Sequence, residues 1–362
     1  MIAEPGKEAE ARSGLRDFAP QVSLGLAFLS LGLLALSPRR YAALAQEDGP
    51  IEWATFFAFG IAAVFGGLAL FRSKSRPWLV RLALGGLSAF CVFVAGEELS
   101  WGQRVFGFRP PDVFLEHNFQ QEANLHNFLK KILDTRWVVA FIAIVYGGVL
   151  PWLSGDRFRW LDGVRPSRRW VPWFLVIGAA EVFYPFDLIG ESAELCLGLV
   201  FLADLSERLS PSWPKVVAGH AAAVFLGVIT TPLLDGVIEG RGQALVPLAQ
   251  KELEALAVDI ASNVKSKLEK KREVHKRVFT ARRSGYFRIP KGGAFFALPV
   301  DEDARARRRF YLDPWQQPYW IYILKDDAES RRFVYSFGPN RRRDLDPPST
   351  QASGDDLMVE IR

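Results

Sequence analysis

Carboxylates placed at the ends of long apolar runs are the residues of this chain with the most chemistry in them. Glu52 opens a run at 51–71, Glu97 and Glu98 close one at 78–96, and Asp187, Glu191 and Glu194 flank the junction between runs at 170–188 and 191–206. Ionisable groups beside hydrocarbon are costly, so each is a candidate for function. If successive runs alternate in direction, these six acids from three separate turns meet at one face of a bilayer. Glu181 lies about 9 Å deeper at helical rise. The segment after Glu98 adds Glu122 and His126. Asn118, Glu122 and His126 are spaced i, i+4, i+8, which predicts one polar stripe on a helix over 115–133. Leu115, Phe119, Leu125 and Phe128 supply its apolar side, as in a helix lying on the outer leaflet.

Three chemistries fit this pattern. Crowded carboxylates that share protons give a general acid and base, with Glu97, Glu98 and Glu122 served by His126 as proton shuttle. Hard oxygen ligands with one imidazole suit manganese, iron or zinc, and Glu52, Glu98, Glu191, Glu194 and His126 form such a set, with Glu97 and Glu122 nearby. The third reading is structural: Arg104 and Arg136 neutralise some acids and water solvates the rest. Other sites are unsupported. Cys91 and Cys196 sit inside apolar runs and read as small core residues, and the four histidines are too scattered for a three-histidine zinc centre. His220 is expected to pair with Asp204. There is no phosphate-binding lysine loop or dinucleotide glycine fingerprint.

The elements that must hold these groups follow from hydropathy. Of 362 residues 49% are hydrophobic, yet 45 are Lys or Arg and 40 are Asp or Glu, and the two kinds are segregated. Up to residue 238 there are 21 basic and 22 acidic side chains; beyond it there are 24 and 18. That partition excludes an ordinary cytosolic globule and a disordered chain. A transmembrane helix takes about 20 mostly apolar residues. Seven runs approach this, at 20–37, 51–71, 78–96, 137–153, 170–188, 191–206 and 215–235. The net charge of +5 is spread over loops and a tail, which fits membrane-protein loops and gives no case for nucleic acid.

Loop charges set a direction. With the N-terminus in the cytoplasm, the inner segments carry 13 Lys and Arg and the outer loops seven. The expected layout is a cytoplasmic segment 1–19, a seven-helix membrane domain 20–235, a linker 236–248 and an exported domain 249–362. In that last domain, Leu253, Leu256, Ile260, Val264 and Leu268 predict an amphipathic helix over 249–279. Short β-prone runs at 319–324 and 333–337 predict a small antiparallel sheet. The fold class expected is thus a polytopic α-helical membrane domain followed by an α+β module.

Asp313-Pro314-Trp315, Pro318-Tyr319, Tyr335-Ser336-x-Gly338-Pro339-Asn340 and Asp355-Asp356-Leu357 stand in an order that resembles the C-terminal domain of the type II secretion major pseudopilin. The resemblance covers about 250–362. It implies a pilin-like fold, with a long helix packed on a three-stranded sheet, on the periplasmic side of a bacterial inner membrane. It also implies envelope protein partners of the secretion or pilus kind. The family's last loop holds calcium; Asp355 and Asp356 match its terminal acids, and Asp344 and Asp346 stand close by. The chain departs from the family in Gln316-Gln317 and Asn340-Arg341. Arg341, Arg342 and Arg343 oppose a cation in the same loop. The pilin leader and cleavage point are missing ahead of this helix, so a tethered module is expected and a polymerising pilin is not.

Overall fold

The computed structural model describes residues 21–362 apart from 23, 31, 119, 130–133, 184–187, 210–212, 263–272, 300–301, 326–329 and 345–350. The predicted segment 1–19 and the residues Asp187 and Asp346 therefore lie outside the described residues. The chain forms two compact units, one of residues 1–101 with 124–231 and the other of residues 102–123 with 232–362.

The first unit is helical. Helix α1 (Pro50–Arg72) and helix α2 (Trp78–Glu98) are apolar nearly all round and run 23 and 21 residues. Proline at the first position and Glu52 in the first turn suit the start of α1, where backbone N–H groups lack partners and the helix dipole favours an acid. A short helix α3 (Leu125–Leu129) precedes α4 (Val171–Phe183) and α5 (Leu188–Arg208). Helix α1 packs against both α2 and α5. Small residues let these helices approach: a Cβ on Gly198 would come within 3.1 Å of Ala58 and Phe59. Ser88 in α2 donates to the Ala63 carbonyl at 2.8 Å. Phe59, Phe90, Phe174, Phe201 and Tyr146 build an aromatic centre with ring centroids 5.1–6.4 Å apart. Cys91 and Cys196 are buried free thiols.

Three helical stretches among the described residues are long and apolar enough to cross a bilayer: α1, α2 and the run Lys215–Ala261, with mean hydropathies of 2.1, 1.9 and 1.9. These mark the chain as a membrane protein, but the expected count of seven falls to three by length and composition. The run at 191–206 lies in α5, which carries Glu191, Glu194, Asp204, Glu207 and Arg208. The run at 170–188 gives the 13-residue α4. The run at 137–153 lies in one apolar helix, Arg136–Trp152, that is shorter than α1 and α2 and changes from α (Thr135–Ile142) through π (Ala143–Val149) to 3₁₀ winding (Leu150–Trp152), with Gly147 lying against the Phe174 ring. The run at 20–37 includes residues outside the description.

Two further expectations are corrected. His220 does not pair with Asp204: its ring nitrogens face the carbonyls of Val216 (2.9 Å) and Leu199 (3.3 Å). Asp204 instead accepts from Tyr146 Oη at 2.9 Å and Arg208 Nη2 at 2.6 Å. The proposed linker 236–248 is helical, because α6 (Trp213–Gly242) continues through it to a 3₁₀ turn and α7 (Val246–Ala261).

In the second unit α7 packs on β3 and β4 of a four-stranded antiparallel meander. The strands are β1 (Glu273–Arg277), β2 (Trp320–Lys325), β3 (Ser330–Ser336) and β4 (Leu357–Glu360), in the order β1-β2-β3-β4. Leu253, Leu256 and Ile260 are fully buried, as the periodicity predicts. The helix does not reach 279, however. Glu273–Arg277 pairs with β2 in the register His275 to Tyr322, which makes the sheet one strand wider than the three expected. The His275 ring stacks against Trp320 (4.6 Å) and Tyr335 (5.7 Å), which lie 6.4 Å from each other, so the three rings form one cluster across β1, β2 and β3.

Residues 102–123 belong to this second unit. Leu115 packs with Phe310 and Leu312, Gln121 Nε2 donates to the Phe310 carbonyl (3.3 Å), and Arg309 pairs with Glu116 (3.1 Å). Arg104 pairs with Asp235 and donates to the Asn340 carbonyl (3.1 Å). The expected helix over 115–133 is replaced by Asp112–His117 and the separate α3, so Asn118, Glu122 and His126 share no helical stripe.

Candidate functional site

Three helix ends of the first unit carry the acids picked out by sequence: the start of α1, the close of α2 and the first turns of α5. They meet at a cavity of about 300 Å³, lined by Glu52, Glu97, Glu98, Glu191, Glu194 and His126. The rest of its wall is apolar, chiefly Phe59, Phe90, Phe93, Val94, Val139 and Leu197. Helical spacing explains the division. Phe90, Val94 and Glu98 are four apart on α2, and Phe59 is seven beyond Glu52 on α1, so each acid caps an apolar stripe on its own helix.

Carboxylate oxygens of Glu98, Glu191 and Glu194 lie within 4.8 Å of one another, with one oxygen taken from each side chain. Carboxyl groups so close, at the border of an apolar space, either share protons or take up a cation. Glu191 and Glu194 are three apart and so share a face of α5. Glu52 lies on the same cavity wall, and its Oε2 accepts from the backbone N–H of Asp48.

Glu97 has a different role from its neighbour. Its Oε2 accepts from the backbone N–H groups of Leu125 (2.6 Å) and His126 (2.8 Å), the free donors at the start of α3. Its Oε1 accepts from Trp101 Nε1 at 2.7 Å. His126 Nδ1 lies 3.5 Å from the same carboxylate. Glu97 therefore fixes α3, and with it the imidazole at the cavity. Positive φ angles at Ser100 (44°) and Trp101 (55°) fold the chain back after α2. Gly96 has no side chain where the Trp101 ring lies, since a Cβ there would be 2.9 Å from it. Asn124 Nδ2 donates to Ser100 Oγ at 2.8 Å and ties the turn to the approach to α3.

Of the residues proposed from sequence for catalysis or metal binding here, the structure brings together Glu52, Glu97, Glu98, Glu191, Glu194 and His126. Glu122 falls in the second unit, where its backbone carbonyl accepts from Asn118 Nδ2 (2.6 Å), and it does not line the cavity. Glu181 is buried in α4 and has the charges of Glu194 and Glu191 in its surroundings, but it does not line the cavity either. The sequence reading missed the apolar wall and the strained turn at Ser100-Trp101. The stripes at Phe90, Val94 and Glu98 carried a signal for the first; no spacing rule reports the second.

A second acidic group lies in the second unit, where oxygens of Asp344, Asp355 and Asp356 come within 4.8 Å of one another. Asn340 organises them. Its backbone N–H donates to Asp355 Oδ2 (2.6 Å) and its Nδ2 to Asp344 Oδ2 (2.9 Å), while the Asp344 N–H donates to Asp356 Oδ2 (3.1 Å). Burial pushes the Asp355 carboxyl up to about 7, and the charge of Asp344 adds to this against the Asn340 hydrogen bond. Arg341 turns to the carbonyl of Arg104 (2.6 Å), and Arg342 sits between Asp235 (2.9 Å) and Asp344 (3.4 Å). Two of the three opposing arginines are thus engaged beside the acids.

Comparison with protein families, characterised proteins and solved structures finds no match to this chain.

Proposed function

We propose that the membrane unit is an integral membrane enzyme, a hydrolase or transferase, acting on a lipid-linked substrate at the cavity between α1, α2 and α5. The observation that carries this is the placement of four carboxylates, Glu52, Glu98, Glu191 and Glu194, in a cavity lined otherwise by apolar side chains with Glu97 and His126. Such a space takes a molecule with one polar and one greasy end. Glu98, Glu191 and Glu194 would hold a divalent cation of the manganese, iron or zinc kind, with His126 lining the same cavity. Such an ion would supply Lewis acidity toward a carbonyl or phosphoryl oxygen. Glu97 is the positioning residue for His126.

Metal analysis of the purified full chain tests the cation, with about one equivalent expected in the wild type and little in Glu98→Gln or Glu194→Gln. A wild type that carries no such ion, and whose melting no divalent ion shifts, removes the cation. Complementation of a strain that depends on the chain tests the enzyme itself: Glu98→Gln should insert and fold but fail to complement. Full complementation would remove the enzyme reading.

For the second unit we propose the envelope role that the pseudopilin resemblance implies, with calcium on Asp344, Asp355 and Asp356. The gathering of those acids about Asn340, on a helix-and-sheet module, supports it. The second unit, residues 102–123 with 232–362, then lies on the periplasmic side of a bacterial inner membrane, among secretion or pilus proteins. Alkaline phosphatase joined at Arg362 should be active; an inactive fusion that is stably made would overturn the orientation.

A further inference from the structure

Between Glu273 and Asp301 the chain has no acidic residue, but it has six basic ones: Lys276, Arg277, Arg282, Arg283, Arg288 and Lys291. Two of these are taken up by packing, Arg277 over the Trp320 ring at 4.4 Å and Lys276 over the Tyr286 ring at 5.4 Å. Three others converge. Arg282, Arg283 and Arg288 are exposed and line a cavity of about 440 Å³ with Gly285, Phe287, Ile289 and Pro290.

The fold makes this place in a definite way. Helix α8 (Val278–Arg283) ends on Arg282 and Arg283. Gly285 then takes φ +74°, a left-handed conformation that costs glycine little, and the chain reverses. The reversal is closed by the Tyr286 N–H on the Ala281 carbonyl (3.2 Å) and the Gly285 N–H on the Arg282 carbonyl (2.9 Å). Buried Phe287 and Ile289 then anchor the next stretch, so that Arg288 between them points outward toward the arginines of α8.

These guanidinium groups lack an anion among the described residues. Arg283 Nη1 donates to the backbone carbonyl of Glu116 (2.5 Å), a neutral partner, while the Glu116 carboxylate pairs with Arg309. Arg282 lies over the Tyr311 ring at 5.8 Å, and Arg288 has no hydrogen bond or ion pair to the described residues. Three planar, permanently charged forks line one concavity, and phosphate accepts from arginine in bidentate pairs.

We propose that Arg282, Arg283 and Arg288 form a binding site for a phosphate group, carried either by a small soluble molecule or by a lipid headgroup. The apolar floor of Phe287 and Ile289 holds the forks in place without competing for the ligand's oxygens.

The test uses the full chain in nanodiscs of phosphatidylcholine, with inorganic phosphate as the probe and titration calorimetry at low ionic strength as the readout. Phosphate should bind the wild type, and Arg288→Gln should weaken it by at least about tenfold, as loss of a charge-assisted hydrogen-bonded pair predicts. Arg288→Lys should weaken it less, and both variants should melt with the wild type because Arg288 is exposed. Repeating the titration in nanodiscs containing phosphatidic acid separates the sources: loss of phosphate binding there assigns the site to a lipid headgroup, and unchanged binding assigns it to a soluble phosphate. No phosphate binding in phosphatidylcholine nanodiscs, or equal binding by wild type and Arg288→Gln, overturns the proposal. The cation-depleted Glu98→Gln chain should bind phosphate normally, which keeps this site distinct from the membrane cavity.

Discussion

Replacing Glu252 by alanine should loosen the whole second unit. This carboxylate is fully buried on α7 and accepts four hydrogen bonds. Two come from Arg307, Nη1 at 2.5 Å and Nη2 at 2.6 Å; the third is from Arg308 Nε at 2.8 Å, and the fourth from Tyr319 Oη at 2.8 Å. Both arginines are buried and lie on α9 (Glu302–Arg309), so one residue joins α7, α9 and the start of β2. Their other partners are neutral carbonyls: Leu312 for Arg307, and Leu298 and Pro299 for Arg308. The nearest further acid, Asp303, is exposed and 3.9 Å from Arg307 Nε. Alanine would therefore leave two guanidinium charges in the interior with no counter-charge, which costs about 3–5 kcal/mol for a broken buried pair. Glutamine keeps the shape and one acceptor, so its cost should be smaller, about 2 kcal/mol. Hydrogen exchange of the full chain, followed by mass spectrometry over 246–261 and 302–312, reads this locally. A loss of 3–5 kcal/mol speeds exchange limited by unit opening by about 200-fold to several thousandfold. An alanine variant that exchanges less than about tenfold faster would show that the pair's desolvation cost cancels its attraction. The reasoning would then fail.

Three other outcomes follow from the same structure. Glu97→Ala removes three acceptor contacts at α3 and Trp101 and should cost about 1–3 kcal/mol in melting experiments; an unchanged melting point would mean that α3 is held by other contacts. Gly96→Val puts a side chain into the Trp101 ring and should lower the melting point, whereas Gly86→Ala, at a position open to space, should not. Asp313 is buried, and burial pushes its carboxyl up to about 7 despite hydrogen bonds from Ser336, Gln317 and Trp315. A native carboxyl that holds its proton above the ordinary value near 4 makes stability fall as pH rises from about 4 to 7, by up to about 1.4 kcal/mol per unit, and level off above that. Asp313→Asn mimics the protonated form. It should match the wild type at pH 4 and exceed it at pH 8, and a constant difference across that range would count against the assignment.

Legibility in the sequence followed the range of the interaction involved. Helices α1 and α2 could be read because a bilayer-length apolar run is a local property. The meeting of Glu52, Glu98, Glu191 and Glu194 could be inferred because each acid sits at a helix end and adjacent helices alternate. The sheet edge was lost because Glu273–Arg277 has no alternation of its own and becomes a strand only through pairing with β2. Residues 102–123 were assigned with the membrane helices because they adjoin α2 in sequence. Their place is set instead by long-range partners, Arg104 with Asp235 and Leu115 with Phe310 and Leu312. The seven apolar runs include the acids of α5 and the short helix Arg136–Trp152, both of which a hydropathy window tolerates. A helix must be both long and apolar to cross.

Glu97 and Glu98 show how far neighbouring side chains of one type can diverge. Successive positions on a helix differ by about 100° in direction, so the two carboxylates at the close of α2 face different surroundings. Glu97 finds N–H donors, which compensate its removal from water and lock its position. Glu98 finds Glu191 and Glu194, which do not. A helix end that also gathers unlike residues such as Phe90, Phe93 and Val94 below it has no structural need for three further acids, since an amide or hydroxyl would close the wall at lower cost. The grouping at Glu98 makes physical sense when a positive species is part of the site, and the apolar wall beneath makes sense when that species is met by a molecule with a hydrocarbon portion. Charge and greasiness are thus joined in one cavity by the same helical repeat that brings α1, α2 and α5 together.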